Sequence, residues 1–138
     1  MLLADAVQVA DGKLYVLGGG WSMIGPGPSP IGIAMKIEVP WHQANERHSW
    51  DLQLVDGDGA PVMVPMPDGE GPLEIRGDFE VGRPPGVLPG TPLDLPVAIN
   101  TPPLPLPPGT RLEWRLTIDG ESSQDWVLAF TTRPNPST

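Results

Sequence analysis

Arg111-Leu-Glu-Trp-Arg-Leu-Thr-Ile-Asp-Gly-Glu-Ser-Ser-Gln-Asp-Trp-Val-Leu-Ala-Phe130 decides the fold. Leu112, Trp114, Leu116 and Ile118 alternate with Glu113, Arg115 and Thr117, so an extended segment here is apolar on one face and polar on the other. That is the pattern of a half-buried antiparallel strand. Asp119-Gly120 follows at once, a dipeptide suited to the left-handed backbone of a two-residue hairpin turn. Trp126, Leu128 and Phe130 then resume the period of two. The two segments are predicted to pair as a hairpin.

The same period recurs upstream. Ile31, Ile33, Met35, Ile37 and Val39 alternate with smaller or charged residues. Trp50, Leu52 and Leu54 form another run, ended by Asp56-Gly57-Asp58-Gly59, after which Val62 and Val64 begin a return. Leu73, Ile75, Phe79 and Val81 make one more, as do Leu93, Leu95, Val97 and Ile99. At the start, the runs Leu2 to Val9 and Leu14 to Leu17 flank Asp11-Gly12, a second hairpin signal. About nine short strands separated by turn signals predict an all-β fold, a two-layer antiparallel β-sandwich of immunoglobulin-like or Greek-key type. Residues 1–138 are expected to form one domain, with one short helix near 40–48 beginning at Pro40. Pro96 inside a strand pattern places that strand at a sheet edge. The stiff connector Thr101–Gly109 suits a crossing between sheets.

Gly and Pro number 17 and 20, and they punctuate the apolar runs rather than forming low-complexity tracts. The formal charge is −9, from 17 acidic residues against 8 Lys and Arg, with no basic cluster. Phosphate neutralisation needs a positive face, so the expected partners include neither nucleic acid nor an anionic membrane surface. Cysteine is absent, which removes disulfides, thiolate metal sites and cysteine nucleophiles. Met1 to Ala6 has no basic, long-apolar leader pattern, and no window reaches the roughly 18 apolar residues of a membrane span; a cytoplasmic location is expected.

Two resemblances can be placed on particular residues. Leu106-Pro-Pro108-Gly109-Thr-Arg-Leu112 resembles the corner before the sixth strand of fibronectin-III and immunoglobulin-like sandwiches, with Leu112 where that pattern carries a Tyr. The resemblance implies a fold and no activity. Met1–Trp21, Ile37-Glu-Val-Pro-Trp41 and Trp114-Arg-Leu-Thr-Ile-Asp-Gly120 are together similar to a family of short bacterial proteins known only as a domain of unknown function. That likeness implies a free-standing cytoplasmic domain and brings no catalytic or binding residues with it.

The chemistry-bearing residues favour plain structural roles. Gly18-Gly19-Gly20 lacks the following Lys-Ser/Thr and helix of a phosphate loop, and reads as a strand exit or bulge. Asp56-Gly-Asp58-Gly59 resembles the start of a calcium loop, but the twelfth position is Pro67 rather than Glu, so it reads as a hairpin turn. His42 and Glu46 would share one face of the predicted helix, with His48 facing elsewhere; two His in all make a thin metal inventory. No metal, cofactor or catalytic residue is expected. Asp5 shares strand parity with Leu3, Val7 and Val9 and is the candidate buried acid, which would need hydrogen bonds or a cation. Trp50, Trp114 and Trp126 have inward parity and are expected in the core. Trp21 and Trp41, with Arg83, form the candidate interaction surface at a loop end. The leading function is a non-catalytic protein-interaction or scaffolding module, acting through an edge strand or that loop end on a protein partner or a second copy. The alternatives are a carbohydrate or small-ligand module using the same aromatics and, behind it, a hydrolase or metal enzyme.

Overall fold

The computed structural model describes residues 1–136. Its strands are β1 (Leu2–Ala4), β2 (Ala6–Ala10), β3 (Lys13–Leu17), β4 (Met23–Ile24), β5 (Gly32–Val39), β6 (Arg47–Asp56), β7 (Met63–Met66), β8 (Gly69–Pro72), β9 (Glu74–Glu80), β10 (Leu93–Asn100), β11 (Arg111–Ile118) and β12 (Glu121–Thr132). One sheet has the order β1-β5-β10 and a larger one β4-β12-β11-β6-β9, while β2–β3 and β7–β8 are separate two-stranded hairpins. All pairings within these sheets are antiparallel except β4 with β12.

The all-β class and the terminal hairpin are found as predicted. Asp119 and Gly120 both take positive φ, 51° and 78°, as do Asp11 and Gly12 at 51° and 69°. Two left-handed residues in succession give the hairpin turn whose twist matches its strands. Twelve strands replace the expected nine: the run Leu2 to Val9 breaks at Asp5 into β1 and β2, and β4 and β8 are too short, or too rich in Gly and Pro, to carry an apolar period.

The expected helix at 40–48 does not form. Trp41–Gln43 is a single 3₁₀ turn, Ala44 is extended, and Arg47 already begins β6. Two polar turns of helix would have buried almost nothing, whereas the extended chain places His48 and Trp50 inward as part of a long strand opposite β9.

The inner faces of the two larger sheets share one core cluster. Leu3, Ile33 and Met35 enter it from the smaller sheet, and Leu52, Leu54, Leu112, Trp114, Leu116 and Phe130 from the larger. Each such leucine contributes roughly 1.5–3 kcal/mol by leaving water. The proline-rich connector between β10 and β11 crosses from one sheet to the other, as expected, and is tied at both ends. Thr101 exchanges hydrogen bonds with Ile31, and the Thr132 hydroxyl donates to Pro107 O at 2.6 Å while accepting from Thr110 N–H at 2.9 Å. Thr132 thus holds the corner at which Leu112 offers no hydroxyl.

Candidate functional site

The site follows from where β5 sends its backbone groups. In an antiparallel ladder each residue turns its N–H and C=O to the same neighbour, and successive residues alternate. Leu3 O accepts from Gly20 N–H at 2.8 Å, so Leu3 faces away from β5, and its cross-strand partner Ile33 faces β10. Ile33, Met35, Ile37 and Val39 therefore bond to β10, while Gly32, Ala34, Lys36 and Glu38 face the other way. Pairing with β1 ends at Leu2 opposite Ala34. The N–H and C=O groups of Lys36 and Glu38 thus point to an open edge.

Beside that edge runs a groove. Met1, Met35, Ile37, Leu116, Ile118 and Trp126 line it, with Lys36, Glu38 and Asp125 on its rim. It continues past Ile118 and Trp126 to Pro40, His48, Phe79, Asp119 and Glu121. An irregularity in β12 shapes its second wall. Arg115 pairs with Val127 but Thr117 with Ser122, so Ser123–Trp126 bulges away from β11 and half-exposes Trp126 in the groove. Trp126 is thus a groove wall rather than the core residue its parity predicted, whereas Trp50 and Trp114 are core.

His48 closes the far end of the groove. Its ring stacks on Phe79 with centroids 5.1 Å apart. Nδ1 lies 2.7 Å from Asp119 Oδ2, and Nε2 lies 3.1 Å from Gln43 O. Both neighbours are acceptors, and only the imidazolium can donate to both. The Asp119 hydrogen bond, followed by that to Gln43, holds the His48 pKa above its ordinary value against the opposing effect of burial. Asp119 is held below the usual carboxylate range, first by the Ser49 N–H and then by His48.

The candidate interaction residues do not form one surface. Trp41 and Arg83 meet, with the guanidinium 4.5 Å from the ring centroid and Nη2 donating to Trp41 O at 2.7 Å. They lie near the start of β6, whereas Trp21 lies at the opposite end, beside the β4–β12 pairing, edge-on to Phe130 at 6.1 Å. Both indoles are half-buried.

Asp5 is exposed, which overturns its reading as a buried acid. The chain leaves the smaller sheet at that residue to enter the β2–β3 hairpin, so the parity that linked it to Leu3 and Val7 is broken. Its N–H donates to Leu17 O and Gly18 O, and its carboxylate lies where a Cβ on Gly18, at φ 61°, would stand. The three-glycine stretch is therefore a strand exit packed against this chain's own acid. The Asp56 turn is closed by its own side chain, with Oδ1 accepting from Asp58 and Ala60 N–H at 2.9 and 3.0 Å. His42 is exposed on the 3₁₀ turn, and the helix that would have aligned it with Glu46 is absent.

One further charged cluster lies on the larger sheet, where Asp51 of β6 meets Glu74 and Arg76 of β9. Burial, then the hydrogen bond to Glu74, pushes the Asp51 pKa up to about 6, while Glu74 is lowered. Asp51 Oδ2 lies 3.8 Å from Arg76 Nε, which also pairs with Glu74, so one guanidinium serves both carboxyl groups. Among the described residues no group of three or more His, Asp or Glu side chains is placed to hold a metal ion, and no helix is long and apolar enough to cross a membrane.

A family model described as a family of unknown function, DUF6941, matches residues 1–131. The chain belongs to that family. Comparison with curated proteins and with solved structures finds no match. DUF6941 membership therefore brings no assigned residues to the groove, and what the groove does has to be argued from its own chemistry. Sequence reasoning missed it because its two walls, Met35–Val39 and Glu121–Trp126, lie far apart in the chain. The one available signal was the polar interval between Gly120 and Trp126, longer than a strand resuming from a two-residue turn requires.

Proposed function

We propose that this chain is a non-catalytic interaction module that receives an extended segment of a partner protein along the open edge of β5. The supporting observation is the pairing of unmet backbone groups, at Lys36 and Glu38, with an apolar floor made by Met35, Ile37, Leu116 and Ile118. A strand laid there would gain a hydrogen-bond ladder from the edge and side-chain burial from the groove, the two requirements of strand addition. The carbohydrate reading relied on a shared aromatic platform, and it loses support with Trp41 and Trp21 at opposite ends. A cytoplasmic setting forms part of the proposal.

The frame is also proposed to be immunoglobulin-like. In favour of this, β1, β5 and β10 take the places of strands A, B and E, and β6, β11 and β12 those of C, F and G, with β9 beside C. On that reading the β2–β3 and β7–β8 hairpins are insertions.

Amide hydrogen exchange on the isolated protein, repeated on protein captured with its native partner, tests the functional proposal. The amides of Lys36 and Glu38 are expected to exchange fast alone and slowly in the complex, and Lys36→Pro is expected to abolish capture. Slow exchange of both in the isolated monomer, or equal capture by the proline variant, would sink it.

A further inference from the structure

The charge around the groove narrows the class of partner; this inference rests on the strand-addition reading above. Glu38, Asp119, Glu121 and Asp125 line the groove, against Lys36 and His48. Lys36 is already shared between Glu38 and Asp94, each at 3.5 Å, and His48 is held by Asp119. Neither Glu121 nor Asp125 has an ion-pair partner among the described residues. The rim is thus acidic with two unneutralised carboxylates, while the floor is apolar.

A strand bound there alternates its side chains between floor and rim. We infer that the occupant is a segment of another protein in which apolar residues alternate with Lys or Arg, about five residues long to span Met35–Val39 at ~3.3 Å each. Its apolar residues cover Met35, Ile37, Ile118 and Trp126, and its cations face Glu38, Glu121 and Asp125. A second copy of this chain fits poorly. The protein carries −9; the open edge of a second β5 brings one cation, Lys36, already paired, β7 and β8 bring none, and β3 and β9 bring one each, Lys13 and Arg76, the latter already paired with Glu74. Apolar burial in the groove provides affinity, and the rim sets which strand is accepted and how fast it arrives.

The test uses the full chain and three end-blocked synthetic peptides: Lys and Val in alternation, Glu and Val in alternation, and the Lys/Val composition with its valines clustered. Binding is followed by Trp fluorescence and by backbone NMR shifts. The alternating Lys/Val peptide is expected to bind about tenfold or more tightly than either other peptide, with shifts at Lys36–Val39 and Glu121–Trp126. A Glu121→Gln, Asp125→Asn double variant, on exposed positions the fold does not use, is expected to lose most of that preference, as is raised salt. Equal binding of the Glu/Val peptide at the groove overturns the charge inference while leaving strand addition standing. Shifts confined to the Asp51–Glu74 face, an unchanged preference in the double variant, or no binding of the Lys/Val peptide each overturn the proposal. A dimer of the isolated chain in sedimentation, broken by Lys36→Pro, makes the occupant a second copy and overturns it too.

Discussion

The two edges of the smaller sheet are built differently. On the β10 side, Ile99, Val97, Leu95 and Leu93 bond to β5, so the outward-facing positions are Asp94, Pro96, Ala98 and Asn100. Pro96 has no N–H to offer, Asp94 brings a charge, and the Asn100 side chain occupies Val7 of the neighbouring hairpin, accepting from its N–H at 2.9 Å and donating to its C=O at 2.8 Å. These are the devices by which proteins stop an edge from pairing. Over Lys36–Glu38 the β5 side shares only the charge, on Lys36 and Glu38; it has no proline and no side-chain clip, and an apolar floor lies within reach. An edge blunted on one side and open on the other is evidence that the open side is kept for something, since a fold that only needed protection had the means at hand.

The sharpest way to break this comparison is proline scanning along β5. Met35 N–H bonds to β10, so Met35→Pro should remove a ladder bond, strand a buried carbonyl partner and cost about 3 kcal/mol or more. Lys36→Pro, whose N–H faces the open edge, should leave most of the stability intact. Chemical denaturation of both variants checks this, and comparable losses would mean that the edge is paired after all. Next in size is Gly77→Ala on the protected side. Gly77 stands opposite Trp50, and an added Cβ would meet indole Cε2 and Nε1 at 2.6 Å. Displacing that ring should cost about 1–3 kcal/mol. A neutral result would show the protected side to be as loosely filled as the groove.

How far the sequence revealed this contrast depends on the period of each segment. Leu112 to Ile118 and Asp119-Gly120 could be read at sight because strand parity and turn chemistry are local. Pro96 announced its edge because a missing donor has a single structural consequence. The open edge of β5 left no such mark. Its alternation is as regular as that of any central strand, and Lys36 and Glu38 are uncovered only because the β1 ladder runs no further than Leu2 opposite Ala34. The helix at 40–48 failed because the pull of His48 and Trp50 into the core is a tertiary effect. The pairing of His48 with Asp119 joins residues 71 apart, and no spacing rule reaches across that separation.

A smaller effect is expected at the clip. Asn100→Ala should leave Val7 N–H and C=O without their partner and cost about 1 kcal/mol, water recovering part of the loss. The informative readout is local: amide exchange at Val7 should quicken while exchange at Met35 and Ile37, which bond to β10, stays unchanged. If the whole smaller sheet loosened, the two edges would be one cooperative unit and the contrast between them would have no energetic content.

The mildest perturbation is pH, and on the open side it acts through His48, which joins the turn Trp41–Gln43 to the tip of the β11–β12 hairpin. The His48 pKa is raised above 6.5, so its contribution to stability is complete below 6.5 and is lost as pH rises through the higher folded value. Asp119 is lowered from 3.8, so its contribution is present above 3.8 and is lost as pH falls through the lower folded value. The clasp is therefore whole between 3.8 and 6.5. Asp51 adds a separate slope, because a carboxyl raised from 3.8 to about 6 makes stability fall as pH rises across that window, which ends below the one His48 controls. Melting temperature should consequently decline on going from pH 6.5 toward pH 8, and the decline should flatten in His48→Gln, whose neutral amide does not titrate. Over the same range, amide exchange at Gln43 and Ala44 should quicken while the Asn100–Val7 clip, which contains no titrating group, stays as it was. A melting temperature that rises with pH in the parent chain, or a decline undiminished in His48→Gln, would show that the imidazole is neutral in the fold and that the end of the groove is closed by packing on Phe79 alone.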